Sequence, residues 1–332
     1  MGNSLIGKRF YCDSPGKFSL KEEYWNEDLD VGEGTLLKVV KVGLCSSDYS
    51  RLFNGTAYKY PISLGHEIFA QRIERQNKER VCIFPLLPCK NCVNCYMQEY
   101  NLCRSYSYLG SRVNGGLSTY LRVPEWNIRT YPRDLNPFFI PMIEPLSVVI
   151  HAFQKLPEYA NRIIITGSGF LSYLALKIAE LKRFEIIRIL SQSKINEEIF
   201  EGRFLQKNKV KEKSDFDSCL DFSGRSSSVD LVSELLEPKS TIVSIANSRI
   251  DTTLPSHCRD KILRKELVFR GSWNSTYGSA ADDWSEAISS VKEFQTFDYP
   301  IKELGLSELP EYLKSINKAK QINSRIHVDC EN

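Results

Sequence analysis

Short apolar runs separated by turn residues mark the first part of the chain. The segments GTLLKVVKVGLC, HEIFAQRIE and ERVCIFPL alternate apolar and polar residues, which is typical of half-buried β-strands. One or two more strands are predicted in GGLSTYLRVPEWNIRTYP, where proline closes the run. We therefore predict a mostly β region up to about residue 144.

From residue 144 onwards the pattern changes to alternating helices and strands. EPLSVVIHAFQKL and FLSYLALKIAELK have apolar residues at helical spacing, and buried strands are predicted in RIIITGSG, FEIIRILS, FDSCLDFSG, STIVSIANS and LVFRGSW. Such alternation indicates a doubly wound parallel sheet. The tail is expected to continue with a helix, DDWSEAISSVKEF, then to be irregular until a final strand, SRIHVDC.

Composition and charge narrow the class of protein. The 332 residues are 42% hydrophobic and 26% charged, with a net charge of +3 and scattered basic residues. We expect neither a nucleic-acid nor a membrane partner. The N-terminus lacks the apolar core of a secretion signal, and Glu144 and His151 interrupt the most apolar stretch. A cytoplasmic protein with reduced cysteines is expected.

Four of the ten cysteines lie close together in LPCKNCVNCYMQEYNLC, residues 87–103, with the spacing C-x2-C-x2-C-x7-C. A disulfide knot is the alternative to a metal site, but neighbours two residues apart suit disulfide geometry poorly, and the compartment is reducing. Four thiolates around a small volume suit a closed, structural zinc site. The predicted ligands are Cys89, Cys92, Cys95 and Cys103.

A glycine-rich turn follows the strand RIIIT. Gly167 and Gly169 allow a tight turn and the close approach of a pyrophosphate to a helix N-terminus, although Ser172 replaces the third glycine of the usual fingerprint. A strand–helix turn without a ligand is the alternative; the βαβ context favours dinucleotide binding. The predicted cofactor loop consists of Gly167, Ser168, Gly169, Phe170 and Leu171.

Ser191 ends the next strand, at the position where an NAD site carries an acid for the ribose 2′-hydroxyl. Without that carboxylate a 2′-phosphate is not repelled, and Ser193 and Lys194 offer contacts for one. NADP(H) is therefore favoured over NAD(H). The alternative is a solvated loop and NAD held by its other contacts.

Several residues suited to zinc lie before the cofactor motif. Each has an ordinary structural interpretation by itself, such as a core thiol, a turn histidine or a carboxylate at a helix start. Together, one thiolate, one imidazole and one carboxylate suit a zinc site with an open position. The candidates occur in GLCSSDYS, GHE and IEPLS, and are Cys45, Ser47, Asp48, His66, Glu67 and Glu144.

The order C-x-S-D, GHE, cysteine lobe, EP and G-x-G resembles the zinc-dependent medium-chain dehydrogenase/reductase family over nearly the whole chain. The resemblance implies that Cys45 and His66 bind a catalytic zinc, with Glu144 as third ligand and Glu67 as a close or alternating one. It further implies that Asp48 fixes the His66 tautomer and that Ser47 passes the substrate proton. Ser50 stands where relatives often have a histidine that continues the proton path.

The resemblance also implies the architecture. A GroES-like, mostly β catalytic domain, residues 1–144 and 274–332 with the zinc lobe at 87–104, would accompany a Rossmann domain, residues 145–273. Two zinc ions per chain and a homodimer or homotetramer, paired through an edge strand, are expected. Further contacts near the nicotinamide would come from Ser223, Ala246, Ser272 and Trp273.

The segment GSWNSTYGSAADDW most resembles the branch of the family that acts on sugar alcohols and polyol phosphates. We therefore expect hydride transfer between a nicotinamide and the secondary alcohol or ketone of a polyol or sugar, with a phosphate as part of the substrate. Arg51, Lys59 and Arg112 are candidates to bind that phosphate, or are ordinary surface charges. The alternatives are a dehydrogenase of an amino alcohol, a threonine-like compound or a cyclic polyol, and a non-catalytic relative.

Overall fold

The computed structural model describes residues 4–26, 34–73, 79–191, 197–200, 202–205, 216–247, 253–278, 282–294, 297–319 and 324–331. The chain forms two compact units. Unit 1 consists of Met1–Glu144, Tyr277–Ala281 and Pro300–Asn332, and unit 2 of Pro145–Thr276 and Asp282–Tyr299.

Unit 1 is built mainly of β-strands. They are β1 (Ser4–Ser14), β2 (Lys17–Asn26), β3 (Thr35–Leu44), β4 (Glu67–Arg72), β5 (Arg80–Ile83), β6 (Leu86–Leu87), β7 (Ser107–Tyr108), β8 (Tyr120–Val123), β9 (Ile128–Thr130), β15 (Ile301–Gly305) and β16 (Arg325–Asp329). The main sheet has the order β15-β16-β3-β4-β5-β9, and β8 pairs with β3. The predicted alternation is confirmed, because its apolar residues form the core of the unit, among them Leu37, Val39, Val42 and Ile68.

Unit 1 also holds helices α1 (Ser46–Phe53), α2 (Val93–Tyr96) and α8 (Leu309–Ala319). The expected irregular tail is wrong, because residues 301–305 form β15 and residues 309–319 form α8. The helical signal was present: Leu309 and Leu313 are spaced by four residues and are fully buried in the core. One further helix, α3 (Ile143–Phe153), begins at the end of unit 1 and continues into unit 2.

Unit 2 contains a five-stranded parallel sheet with the order β11-β10-β12-β13-β14. Its strands are β10 (Arg162–Thr166), β11 (Ile186–Leu190), β12 (Phe216–Asp221), β13 (Leu236–Ser244) and β14 (Val268–Gly271), and its helices include α4 (Phe170–Leu181), α5 (Ser226–Leu235), α6 (Ser256–Arg264) and α7 (Asp283–Lys292). The predicted doubly wound pattern is confirmed. Over the part of the chain that the structure describes, no helix is both long and apolar enough to cross a membrane.

Residues 274–276 and 282–299 belong to unit 2, not to the first unit as predicted. Buried polar contacts explain the difference. Ser275 accepts a hydrogen bond from the indole of Trp284 (3.1 Å) and one from Ser147 of α3 (2.9 Å). His151 of α3 and Asp283 lie 3.0 Å apart. These contacts hold α7 against α3.

Candidate functional site

The four cysteines of the lobe converge as predicted. Their sulfur atoms all lie within 4.8 Å of one another, and three Sγ–Sγ pairs are separated by 3.6–3.9 Å. Sulfurs bound tetrahedrally to one zinc ion at about 2.3 Å lie about 3.8 Å apart. The thiols are free. The arrangement therefore fits a closed zinc site and excludes disulfides between these cysteines.

The protein around the lobe favours a thiolate at one position. Hydrogen bonds from the backbone of Arg104 and Cys95 lower the pKa of Cys92 to about 6. Burial instead raises the pKa of Cys95 to about 12, so that thiol loses its proton only when a cation takes its place. The donor set is that of a structural site.

A second group of ligand atoms lies in unit 1. The Cys45 thiol, the His66 imidazole and the Glu67 carboxylate approach one another within 4.8 Å. Cys45 caps the N-terminus of α1, where the backbone N–H of Cys45 donates to Asp48 Oδ2 at 3.1 Å. His66 and Glu67 come from the start of β4. The residues therefore fit a zinc ion bound by Cys, His and carboxylate.

Close packing of glycines fixes the loop that carries His66. Gly65 has φ +89°, a conformation that side chains rarely allow, and a Cβ there would lie 2.6 Å from Val42 Cγ1. A Cβ on Gly110 would lie 2.8 Å from the Gly65 nitrogen. The glycine of GHE is therefore required by the backbone, and Gly110 lets a second loop pass against it.

The charges of this group support one another. Burial acts to raise the pKa of Cys45, but a hydrogen bond to His66 and the charge of His66 outweigh it and lower that pKa. Burial likewise acts to lower the pKa of His66, but Asp48, whose Oδ1 is 3.5 Å from Nδ1, and Cys45 raise it well above its usual value. With the Asp48 carboxylate on the Nδ1 side, Nε2 is the nitrogen available to a metal, and the role of Asp48 in fixing the tautomer stays a prediction.

Glu67 is held by a residue that the sequence did not indicate. Arg325 on β16 makes an ion pair with Glu67 Oε2, and both side chains are almost completely buried. The other carboxylate oxygen, Oε1, is buried and has no hydrogen-bond partner among the residues that the structure describes. A buried carboxylate oxygen without a donor is costly unless a cation binds it, which further supports a metal at this position.

Gly43 leaves the space that this ion pair occupies, and we predict that Gly43→Ala is destabilising. Gly43 pairs with Glu67 on one side and with His327 on the other. An added Cβ would collide with Glu67 Oε2 and lie 2.6 Å from Arg325 Nη2. Such overpacking costs about 1–3 kcal/mol, which urea unfolding measures. Gly271→Ala is the control, because its Cβ would meet none of the described residues within 4 Å. Equal losses of unfolding free energy for both variants would contradict the prediction.

Glu144, the predicted third ligand, lies outside that group of three. Its Oε1 accepts a hydrogen bond from Tyr108 at 3.0 Å, and the Tyr108 ring lies 5.7 Å from the His66 ring. Burial raises the pKa of Glu144, and the nearby charge of His66 partly offsets the effect. Two carboxylates are thus available beside Cys45 and His66.

Ser47, the predicted proton carrier, lies on the first turn of α1. Arg51 on the last turn donates to its hydroxyl at 3.0 Å. Arg112, another phosphate candidate, packs between the rings of Tyr106 and Tyr58, with its Cζ 4.2 and 4.8 Å from their centroids. Lys59 is exposed.

The cofactor loop has the predicted strand–turn–helix form in unit 2. Gly167 has φ +92° and follows β10, so its backbone requires glycine. Gly169 is extended, and a Cβ there would meet no atom of the described part of the chain within 4 Å. Neither conformation nor packing requires glycine at 169. The open space at the N-terminus of α4 suits a pyrophosphate, and Phe170 and Leu171 begin that helix.

The departures from the fingerprint are accommodated by hydroxyl groups. Ser172 is buried and donates to the carbonyl of Thr166 at 3.3 Å. The hydroxyls of Ser191 and Ser168 lie 3.0 Å apart, so the end of β11 presents hydroxyl groups where an NAD site has an acid. Ser193 and Lys194 lie outside the described residues.

The remaining cofactor candidates follow the ends of the other parallel strands. Ser223 comes after β12 and donates to Asp221 at 2.7 Å. Ala246 follows β13, and Ser272 and Trp273 follow β14. Ligands of open α/β sheets bind outside this edge, so their positions agree with the predicted role, which stays a prediction.

Comparison with known proteins finds a family match within unit 1 and relatives that match most of the chain. Residues 32–133 match the model of the alcohol dehydrogenase GroES-like domain. Galactitol 1-phosphate 5-dehydrogenase of Escherichia coli is 27% identical over 319 residues, covering 82% of this chain and 90% of that protein. D-Arabitol-phosphate dehydrogenase of Enterococcus avium is 27% identical over 317 residues, covering 83% and 87%. The crystal structure of the Escherichia coli galactitol-1-phosphate dehydrogenase superposes with a TM-score of 0.87 at 25% identity, covering 97% and 99%.

Proposed function

We propose that this chain, a member of the zinc-dependent medium-chain dehydrogenase/reductase family, oxidises the secondary alcohol of a polyol phosphate to a ketone and catalyses the reverse reduction. The observation that carries the proposal is the convergence of Cys45, His66 and Glu67 in unit 1. Two relatives that match more than four-fifths of the chain are named for phosphorylated sugar alcohols. Their names support the substrate class.

Cys45 and His66 would hold the catalytic zinc, with Glu144 and Glu67 as the carboxylates that exchange as third ligand. Zinc lowers the pKa of an alcohol bound to it and polarises a carbonyl. Asp48 would keep the His66 ring in place through Nδ1, and Arg325 pairs with Glu67 Oε2 and so leaves Oε1 available to a cation. Cys89, Cys92, Cys95 and Cys103 would hold a structural zinc.

Ser47 would move the proton. The substrate hydroxyl gives its proton to Ser47 Oγ while Ser47 gives its own proton to water, and the hydrogen on the carbinol carbon leaves as hydride. The loop 167–171 would hold a nicotinamide cofactor, which would supply the hydride-transfer chemistry. The ten cysteines are free thiols, which supports a reducing, cytoplasmic location. Val268 and Phe269 are exposed on the edge strand β14, which supports pairing of subunits there.

The test is ketone reduction by zinc-replete protein, followed through nicotinamide absorbance. Ketose phosphates, free ketoses and amino ketones are compared with NADPH and NADH. Turnover that favours ketose phosphates supports the proposal. Preference for amino ketones would move the protein to another substrate class. If no compound turns over and no cofactor binds to the zinc-loaded protein, the chain is a non-catalytic relative.

Cofactor choice gives a separate prediction for Ser191→Asp. We propose that the wild type prefers NADPH, because Ser191 and Ser168 leave hydroxyl groups beside the ribose site. An aspartate accepts a hydrogen bond from a 2′-hydroxyl and repels a 2′-phosphate. We expect the NADPH/NADH ratio of kcat/KM to fall by about 10-fold or more. Ser191→Ala is the uncharged control. An unchanged ratio in Ser191→Asp would place the ribose elsewhere.

A further inference from the structure

The guanidinium of Arg51 is held by three oxygen atoms beside the metal-ligand group. Nη1 donates to Ser47 Oγ at 3.0 Å and to Asp48 Oδ1 at 3.3 Å, and Nη2 donates to Ser111 Oγ at 3.3 Å. The side chain is 16% exposed. Because the planar fork is fixed at both ends, its orientation towards Ser47 is set by the protein.

We propose that Arg51 is a positioning residue for proton transfer at Ser47, an assignment that rests on the proposed function. A serine hydroxyl has one hydrogen and two lone pairs. Arg51 occupies one lone pair of Ser47 Oγ, so the second lone pair receives the substrate proton while the Ser47 hydrogen leaves to water. Arg51 keeps all its own protons. Its positive charge stabilises the negative charge that develops on Oγ when the two transfers are out of step.

Arg51 also links proton transfer to the metal ligands. Asp48 Oδ1 faces both Arg51 Nη1 and His66 Nδ1, at 3.3 and 3.5 Å. The Asp48 side chain is fully buried, and an unpaired buried carboxylate is unfavourable. Arg51 therefore helps to hold the Asp48 carboxylate in position behind His66.

The contacts argue against Arg51 as the residue that binds the substrate phosphate. A phosphate-binding arginine presents two free N–H groups of its fork to the anion, whereas three of the five N–H groups of Arg51 already donate to protein oxygens. The two roles give different kinetics. Positioning changes kcat, whereas phosphate binding changes KM for phosphorylated substrates alone.

The experiment compares wild type, Arg51→Ala, Arg51→Lys and the control Arg259→Ala, all with full zinc content. For Arg51→Ala we expect kcat to fall about 10–100-fold with little change in KM, and the solvent deuterium isotope effect on kcat to increase. Guanidinium ion, at concentrations far below those that unfold proteins, should restore part of the activity. Arg51→Lys should lie between wild type and Arg51→Ala, since it keeps the charge but not the fork. Arg259→Ala removes an arginine that is exposed on α6 and has no assigned role in the site.

The outcomes separate this assignment from the proposed function. The assignment of Arg51 is supported if kcat falls, the solvent isotope effect increases, and guanidinium restores part of the activity. Two results overturn the assignment of Arg51 and leave the proposed function intact. In the first, the wild type turns over and kcat is unchanged in both Arg51 variants. In the second, kcat falls, guanidinium does not restore it, and the isotope effect is unchanged. A rise in KM confined to phosphorylated substrates also overturns it in favour of anion binding. If Arg51→Ala does not fold, Arg51→Lys decides by the same isotope effect. Absence of wild-type turnover overturns the proposed function and this assignment together.

Discussion

Turnover by the His66→Ala variant is expected to fall by about 10³-fold or more. The variant removes the imidazole that faces Cys45 and Glu67, and it removes the partner that lowers the pKa of Cys45. Both the number of ligands and the charge of the thiol therefore change. The measurement is kcat for ketone reduction together with zinc content, which should fall by about one ion per chain. The fold should be retained because the cysteine lobe stays intact, but thermal stability should fall, since buried Asp48 loses a partner and Glu67 loses its cation.

His257→Ala is the matched control, because His257 is 56% exposed and pairs with Asp230 on the surface. Near-wild-type turnover in His66→Ala would refute the zinc mechanism. Glu67→Gln and Glu144→Gln then distinguish the two carboxylates. The variant that removes the charge of the longer-bound carboxylate should lose more zinc.

The Cys92→Ala variant should lose the structural zinc and about 4–5 kcal/mol or more of the free energy of unfolding. Cys92 is only partly buried, so little packing is lost with its sulfur. The large cost comes from the metal, since three remaining thiols no longer close a tetrahedral site. Denaturant unfolding with and without a chelator measures the change, and zinc content should again fall by about one ion per chain.

Cys258→Ala is the control for packing, because Cys258 is fully buried but lies outside the four-cysteine group. If burial alone mattered, Cys258→Ala would lose more unfolding free energy than Cys92→Ala. A metal site reverses that order. The prediction fails if Cys92→Ala binds as much zinc as the wild type and loses less unfolding free energy than Cys258→Ala. That result would show that the lobe is held by packing.

Some of the site arises from segments that carry no distinctive pattern. Arg325 reaches Glu67 across 258 residues of sequence, and Tyr108 reaches Glu144 from a two-residue strand. A weak signal for Arg325 exists, since Arg325 and His327 alternate with apolar residues on one buried strand. Nothing in the local pattern indicates which distant carboxylate such an arginine meets.

The sequence by itself determined the features that depend on short-range spacing. Ligands a few residues apart, as in the cysteine lobe, reach one ion because the chain between them is short. The strand–glycine turn–helix of the cofactor loop and the period of each strand are equally local. Contacts between distant segments could not be predicted in this way: the assignment of residues 282–299 to unit 2, the position of Glu67 rather than Glu144 in the group with Cys45 and His66, and the contact of Arg51 with Ser111. Such contacts form only when separate elements pack, and the free energy that selects them comes from burial and from satisfying buried charges, which no single stretch of sequence contains.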